Sequence, residues 1–191
     1  MTNKLLMAVS ASALALAACG QKDNETAGDD ANLAIDNGIL VDNEMAAAPM
    51  PNSAQGFANA AAASDRFEIE SSKLAATQAQ SAAIKSFAAK MVTAHESSTA
   101  KLKTTLSGMS PAVTPNDTLT PAQQADLDAL KTKTGADFDA AYAAAQVKAH
   151  QQAVDMLNAY AASGDTPALK EFARGLVPTV TAHLNTAKGL K

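Results

Sequence analysis

The chain has little of what a sheet, a disulfide framework or a nucleic-acid surface requires. It has no Trp, its aromatics make up 4% of residues, and it holds one Cys among 191 residues. One Cys excludes an intrachain disulfide framework and any Cys-rich zinc site. Few aromatics beside 46 Ala exclude a sheet-based core, because Ala is the best helix former and is depleted in strands. Bases are outnumbered, 15 Lys and Arg against 19 Asp and Glu. No basic face is therefore available to neutralise phosphates, and no nucleic-acid partner is expected. No apolar run reaches the roughly 18 residues of a membrane-spanning helix. Gly-rich phosphate loops and nucleophile elbows are also missing, so no catalytic residue is assigned.

What is present begins with an address. Lys4 supplies a positive start, and residues 5–16 form a short apolar stretch of the kind that directs secretion. Leu16-Ala17-Ala18-Cys19 resembles the lipobox of bacterial lipoproteins, in which cleavage precedes a Cys that becomes lipidated. The resemblance makes residues 1–18 a signal peptide and Cys19 the lipidated first residue, with the membrane as partner through that anchor. Gly20 rather than Asp follows the Cys, which by the same resemblance favours an outer-membrane lipoprotein facing the periplasm.

Residues 19–55 read as a disordered acidic tether. They carry one base, Lys22, against seven acids. Low hydrophobicity with excess charge cannot offset ordering entropy. Within the tether, residues 34–41 place Asn37-Gly38 between apolar residues, the pattern of a short hairpin that would serve as a docking segment. The remainder, 56–191, holds 13 bases and 12 acids and is nearly neutral.

Residues 56–191 read as one all-α domain, an up-down four-helix bundle with a short extra helix before its third main helix. The periodicity predicts helices over 57–78 and 81–107. A short helix opens on Thr120 as N-cap and Pro121 at the first position, and runs to about 134. Gly135 interrupts, and further helices follow over 136–162 and 167–187, with Pro178 kinking the last. The words around Phe87 and His95 are echoed around Phe172 and His183, as two related helical hairpins would produce. Met91 and Met156 read as core, and Asp139 as a first-turn acid of its own helix.

These residues resemble the bacterial family known as domain of unknown function 4142. The matching words are Glu68-Ile69 before Leu74-Ala75, and Lys85-Ser86-Phe87-Ala88 through Met91-Val92 to His95. They continue with Phe138-Asp139 through Tyr142 to His150, and Phe172-Ala173 through Leu176 and Pro178 to His183-Leu184. Ser72 stands where the family commonly has Gly, and Ala94 where an acid commonly precedes the His. The resemblance implies a ferritin-like bundle and an envelope location, and implies no established activity.

Only three His occur, one each on the second, third and fourth main helices. Counted from the helix turns, His95, His150 and His183 differ by only about 6–8 Å in height. Glu68 on the first helix lies at a similar depth. Two readings stay open. In the first the protein is a non-enzymatic binding or envelope-stress lipoprotein. Its histidines are then structural, bonded to Tyr142, Glu68 or backbone carbonyls. In the second, Glu68, His95, His150 and His183 form a site for a single transition metal, zinc, iron or copper, in a metal-binding or metal-dependent oxidative protein. A di-iron centre is excluded, because it needs Glu-x-x-His on two helices. Here Val92, Val147 and Val180 stand three before each His. His95 and His183 fall squarely on apolar stripes, His150 and Glu68 nearer the edges.

Overall fold

The computed structural model describes residues 51–190. The signal peptide, Cys19, most of the tether and the 34–41 segment lie outside the described residues. Five helices are described: α1 (Ala54–Gln78), α2 (Ala82–Ser107), α3 (Pro121–Lys131), α4 (Gly135–Ser163) and α5 (Pro167–Ala187). The fold is an all-α ferritin-like bundle. α1 packs on α2 and α4 on α5 as two hairpins. α1 also meets α4, α2 meets α5, and the short α3 bridges α1 and α4. Among the described residues, no helix is long and apolar enough to cross a membrane.

Helix ends follow local chemistry. α1 starts at Ala54, ahead of the expected 57, because the Ser53 hydroxyl accepts from Gly56 N at 3.2 Å. Asp165 Oδ2 accepts from Ala54 N, tying that start to the α4–α5 turn. α3 opens on the expected Thr120, which forms a capping box with Gln123. It stops at Lys131, earlier than expected. The Gln78 side-chain amide donates to the carbonyls of Leu130, Lys131 and Lys133, taking acceptors a longer helix would have used itself. Gly135, at φ +60°, then allows the chain to enter α4. α5 runs as one helix across Pro178.

Asp139 corrects an expectation. Its carboxylate does not serve its own helix. It accepts from Gln80 N at 3.1 Å and Ser81 N at 2.8 Å, and so satisfies donors at the start of α2, where Ser81 makes no side-chain cap of its own.

The core divides into two apolar clusters. One gathers Phe57, Ala61, Leu102, Leu106, Leu157, Tyr160 and Leu169 toward the α4–α5 turn. The other gathers Ala75, Ile84, Phe87, Met91, Phe138 and Tyr142 toward the α1–α2 turn. Met91 belongs to the core as expected, and Met156 packs half-buried against the first cluster. Every main helix crosses both clusters, and between them each presents polar residues. α1 offers Asp65, Glu68, Ser71 and Ser72, α2 offers His95, α4 offers Gln146 and His150, and α5 offers His183. A polar layer thus lies across the middle of the bundle, with apolar packing above and below it.

Candidate metal centre

The helical period brings the three histidines together in that layer. Ring centroids lie 5.7 Å apart for His95 and His150, 6.1 Å for His95 and His183, and 5.5 Å for His150 and His183. One nitrogen from each ring lies within 4.8 Å of the others.

The remaining bonds of each ring decide which nitrogen is free. His95 Nδ1 lies 2.8 Å from Asp65 Oδ1, and Asp65 Oδ2 accepts from Thr99 Oγ1 at 3.1 Å. His150 Nδ1 donates to the Gln146 carbonyl at 2.9 Å. These bonds leave the opposite nitrogens bare. His95 Nε2, His150 Nε2 and His183 Nδ1 are all buried and have no partner in the protein. Buried polar atoms are normally satisfied, so three bare imidazole nitrogens at one place call for a shared partner. A cation bound by all three is such a partner. Bonds of about 2.0–2.1 Å need nitrogens roughly 3.3–3.6 Å apart, so the rings must close by up to about 1.2–1.5 Å from the 4.8 Å separation. The Asp65–His95 bond is also what a metal ligand uses to fix its tautomer and orientation.

Glu68 stands beside this group. Its Oε1 is 3.5 Å from His150 Nδ1, the nitrogen facing away from the cluster, and its Oε2 has no partner in the protein. The buried surroundings are completed by Gln146, whose amide donates to Ser71 Oγ at 3.3 Å, and by Tyr142, whose hydroxyl is 2.7 Å from Ser72 Oγ. Tyr142 thus bonds to Ser72 and not to a histidine.

Electrostatics separate the three rings. Burial pulls His150 down to about 4 and lowers His183 from the usual imidazole value, so both are neutral donors. Burial also pulls on His95. There the bond to Asp65 and the nearby Glu68 and Asp65 charges outweigh it, and the ring is held above its usual value. Burial pushes the Glu68 carboxyl up to about 7.

Two sequence expectations change. His150 and Glu68 were placed nearer the helix edges, yet they are among the most buried polar side chains, 1% and 2% exposed. His183, expected squarely on a stripe, is half-buried. Asp65 was missed altogether. Its signal was an acid three residues before Glu68 in an Ala-rich helix, on the same face as the buried Glu68 and Ser72.

The chain belongs to the family described as domain of unknown function DUF4142, whose model matches residues 40–190. No curated protein matches the chain in sequence. Solved structures share its fold. One is CopM in the Cu(II)-bound form, at 20% identity and a TM-score of 0.61, covering 72% of this chain and 94% of that one. CopM in the Ag-bound form is similar at 18% identity and a TM-score of 0.59, with 72% and 93% covered. A DUF305 fragment from Deinococcus radiodurans follows at 16% identity and a TM-score of 0.61, with 70% and 91% covered.

Proposed function

We propose that this DUF4142 protein is a lipid-anchored envelope protein that binds a single transition metal ion, copper foremost, through His95, His150 and His183. One observation carries the reading: three histidines from three helices each bring a nitrogen within 4.8 Å of the others, and each ring has a buried nitrogen with no partner in the protein. A purely structural role for the histidines leaves those nitrogens unsatisfied. Imidazole ligands suit copper, zinc and iron alike, and among divalent ions copper binds such a set most tightly. That two of the solved structures with this fold are of a protein bound to Cu(II) or Ag supports the choice of copper. The Gln146 carbonyl holds His150 through its Nδ1–H at 2.9 Å, and the buried Glu68 carboxyl lies beside it at 3.5 Å. The function is binding, with no reaction assigned.

The envelope part of the reading rests on the secretory stretch and the Cys19 lipobox. Wild type incorporates a labelled fatty acid and Cys19→Ala does not. If the variant is still labelled, the anchor is elsewhere.

The metal is tested on protein purified without a histidine tag, loaded with Cu(II) and desalted. Wild type retains a single copper per chain, and the variant with His95→Ala, His150→Ala and His183→Ala retains none. Copper at about 100 times its dissociation constant stabilises the fold by about 2.7 kcal/mol, a rise in Tm of roughly 5–10 °C. No metal retained after loading with copper, zinc and iron in turn would return the histidines to a structural role.

A further inference from the structure

A cavity of about 50 Å³ lies against the three-histidine cluster, on its α4–α5-turn side. Asp65, His95 and His183 line it, and α5 adds Leu176 and Val180 to a mainly apolar wall. One water occupies about 10–15 Å³ of such space, so the cavity has room for about three to five non-hydrogen atoms. Three small residues on the wall, Ala61, Ala94 and Ala153, leave part of this room. A Leu at Ala153 would extend three further carbons into it.

The cavity adjoins a set of donors that is one short. Among the described residues, the group able to hold a metal contains the three histidines and no fourth side chain. The two carboxylates beside the cluster are engaged elsewhere: Asp65 bonds to His95 Nδ1 at 2.8 Å, and Glu68 Oε1 lies 3.5 Å from His150 Nδ1. Structural metal sites are closed by four protein ligands, whereas sites with three keep a position for an outside molecule. His95 is buried with its Nε2 bare, and His183 Nδ1 is bare beside it, both on residues of the cavity wall.

We propose that this cavity receives a small exogenous ligand of the metal: a neutral molecule or singly charged anion of two or three non-hydrogen atoms with one lone-pair donor. This rests on the metal reading above and adds the class of molecule the site accepts. The mainly apolar lining and the Asp65 carboxylate within it disfavour doubly charged anions such as sulfate, whose desolvation they cannot compensate.

The test uses the mature, untagged protein loaded with Cu(II) as the metal probe and azide as the ligand probe. Binding is followed by the azide-to-copper charge-transfer absorption and by electron paramagnetic resonance, with copper content measured in the same samples. Wild type shows saturable azide binding that sulfate does not displace. Ala153→Leu keeps its copper and binds azide at least about tenfold more weakly, because the space is filled. Ala94→Leu, at a half-buried position on the same wall, gives the same direction of change and stands in if the first variant does not fold. Copper retained without azide binding, or azide bound equally by wild type and both variants, overturns the ligand site alone. Copper absent from wild type overturns the metal reading and this one together.

Discussion

Replacing Asp65 with Asn removes one charge from the layer while leaving its shape. Asp65 Oδ1 lies 2.8 Å from His95 Nδ1, both side chains are buried, and Oδ2 accepts from Thr99. An Asn side chain still offers an amide oxygen to the ring, and its NH₂ donates to a rotated Thr99 hydroxyl. What is lost is the negative charge that makes His95 Nε2 a stronger donor. Outer carboxylates of this kind are worth about 10–100-fold in metal affinity, or roughly 1.4–2.7 kcal/mol. A second effect opposes the first. The bond to Asp65 and the adjacent carboxylate charges hold His95 above its usual pKa, so a proton competes with the metal in wild type. Without the charge, that competition is weaker. Competitive Cu(II) titration against a coloured chelator at about pH 8 and about pH 6, on either side of the ordinary imidazole value of about 6.5, separates the two. The variant is weaker by the full 10–100-fold at the higher pH, and the gap narrows at the lower one. Equal affinities at the higher pH, or a gap that widens on acidification, would refute the role given to Asp65.

Three further outcomes are expected, with stabilities measured on the metal-free protein. Burial raises Glu68 to about 7 and lowers His150 to about 4, against ordinary values of 4.5 and 6.5. Stability from Glu68 is present below its unfolded pKa and lost as pH rises to about 7. Stability from His150 is present above its unfolded pKa and lost as pH falls to about 4. The two slopes oppose each other in wild type. In Glu68→Gln the opposing carboxyl slope is gone, so chemical denaturation shows a steeper loss than wild type as pH falls through that window; a profile as flat as wild type contradicts it. Asp139→Ala strips the acceptor from Gln80 N and Ser81 N and costs about 1–3 kcal/mol in urea unfolding, with copper stoichiometry unchanged. Gly164→Ala brings a Cβ within 2.5 Å of the Tyr160 ring, which is stacked on Phe57 at 4.0 Å. Tyr160 must move, and a loss of about 1–3 kcal/mol is expected by thermal unfolding.

Helix existence was legible because it depends on neighbours in the chain. Apolar spacing marked all four main helices, and Thr120-Pro121 marked the start of α3, whose capping box closes over three residues. The three histidines could be brought to similar heights from the sequence because rise per residue is fixed. Depth alone does not say which way a ring turns. The end of α3 depends on Gln78, 52 to 55 residues away in the chain, and the role of Asp139 on the amides of Gln80 and Ser81 across a helix turn. Neither partner has a local signal.

The same division holds at the centre. Composition and periodicity determined that this is a helical bundle, and the scarcity of His determined which residues were worth following. Only tertiary packing decided that His150 and Glu68 are buried while His183 is half-buried, since burial on a helix depends on which neighbours close over each face. It alone assigned Asp65 to His95 and the Gln146 carbonyl to His150, and so left the other nitrogens bare and facing one another. A site is a convergence of lone pairs in space. Chain order carries the residues that supply them, and the crossing of four helices carries the direction in which they point.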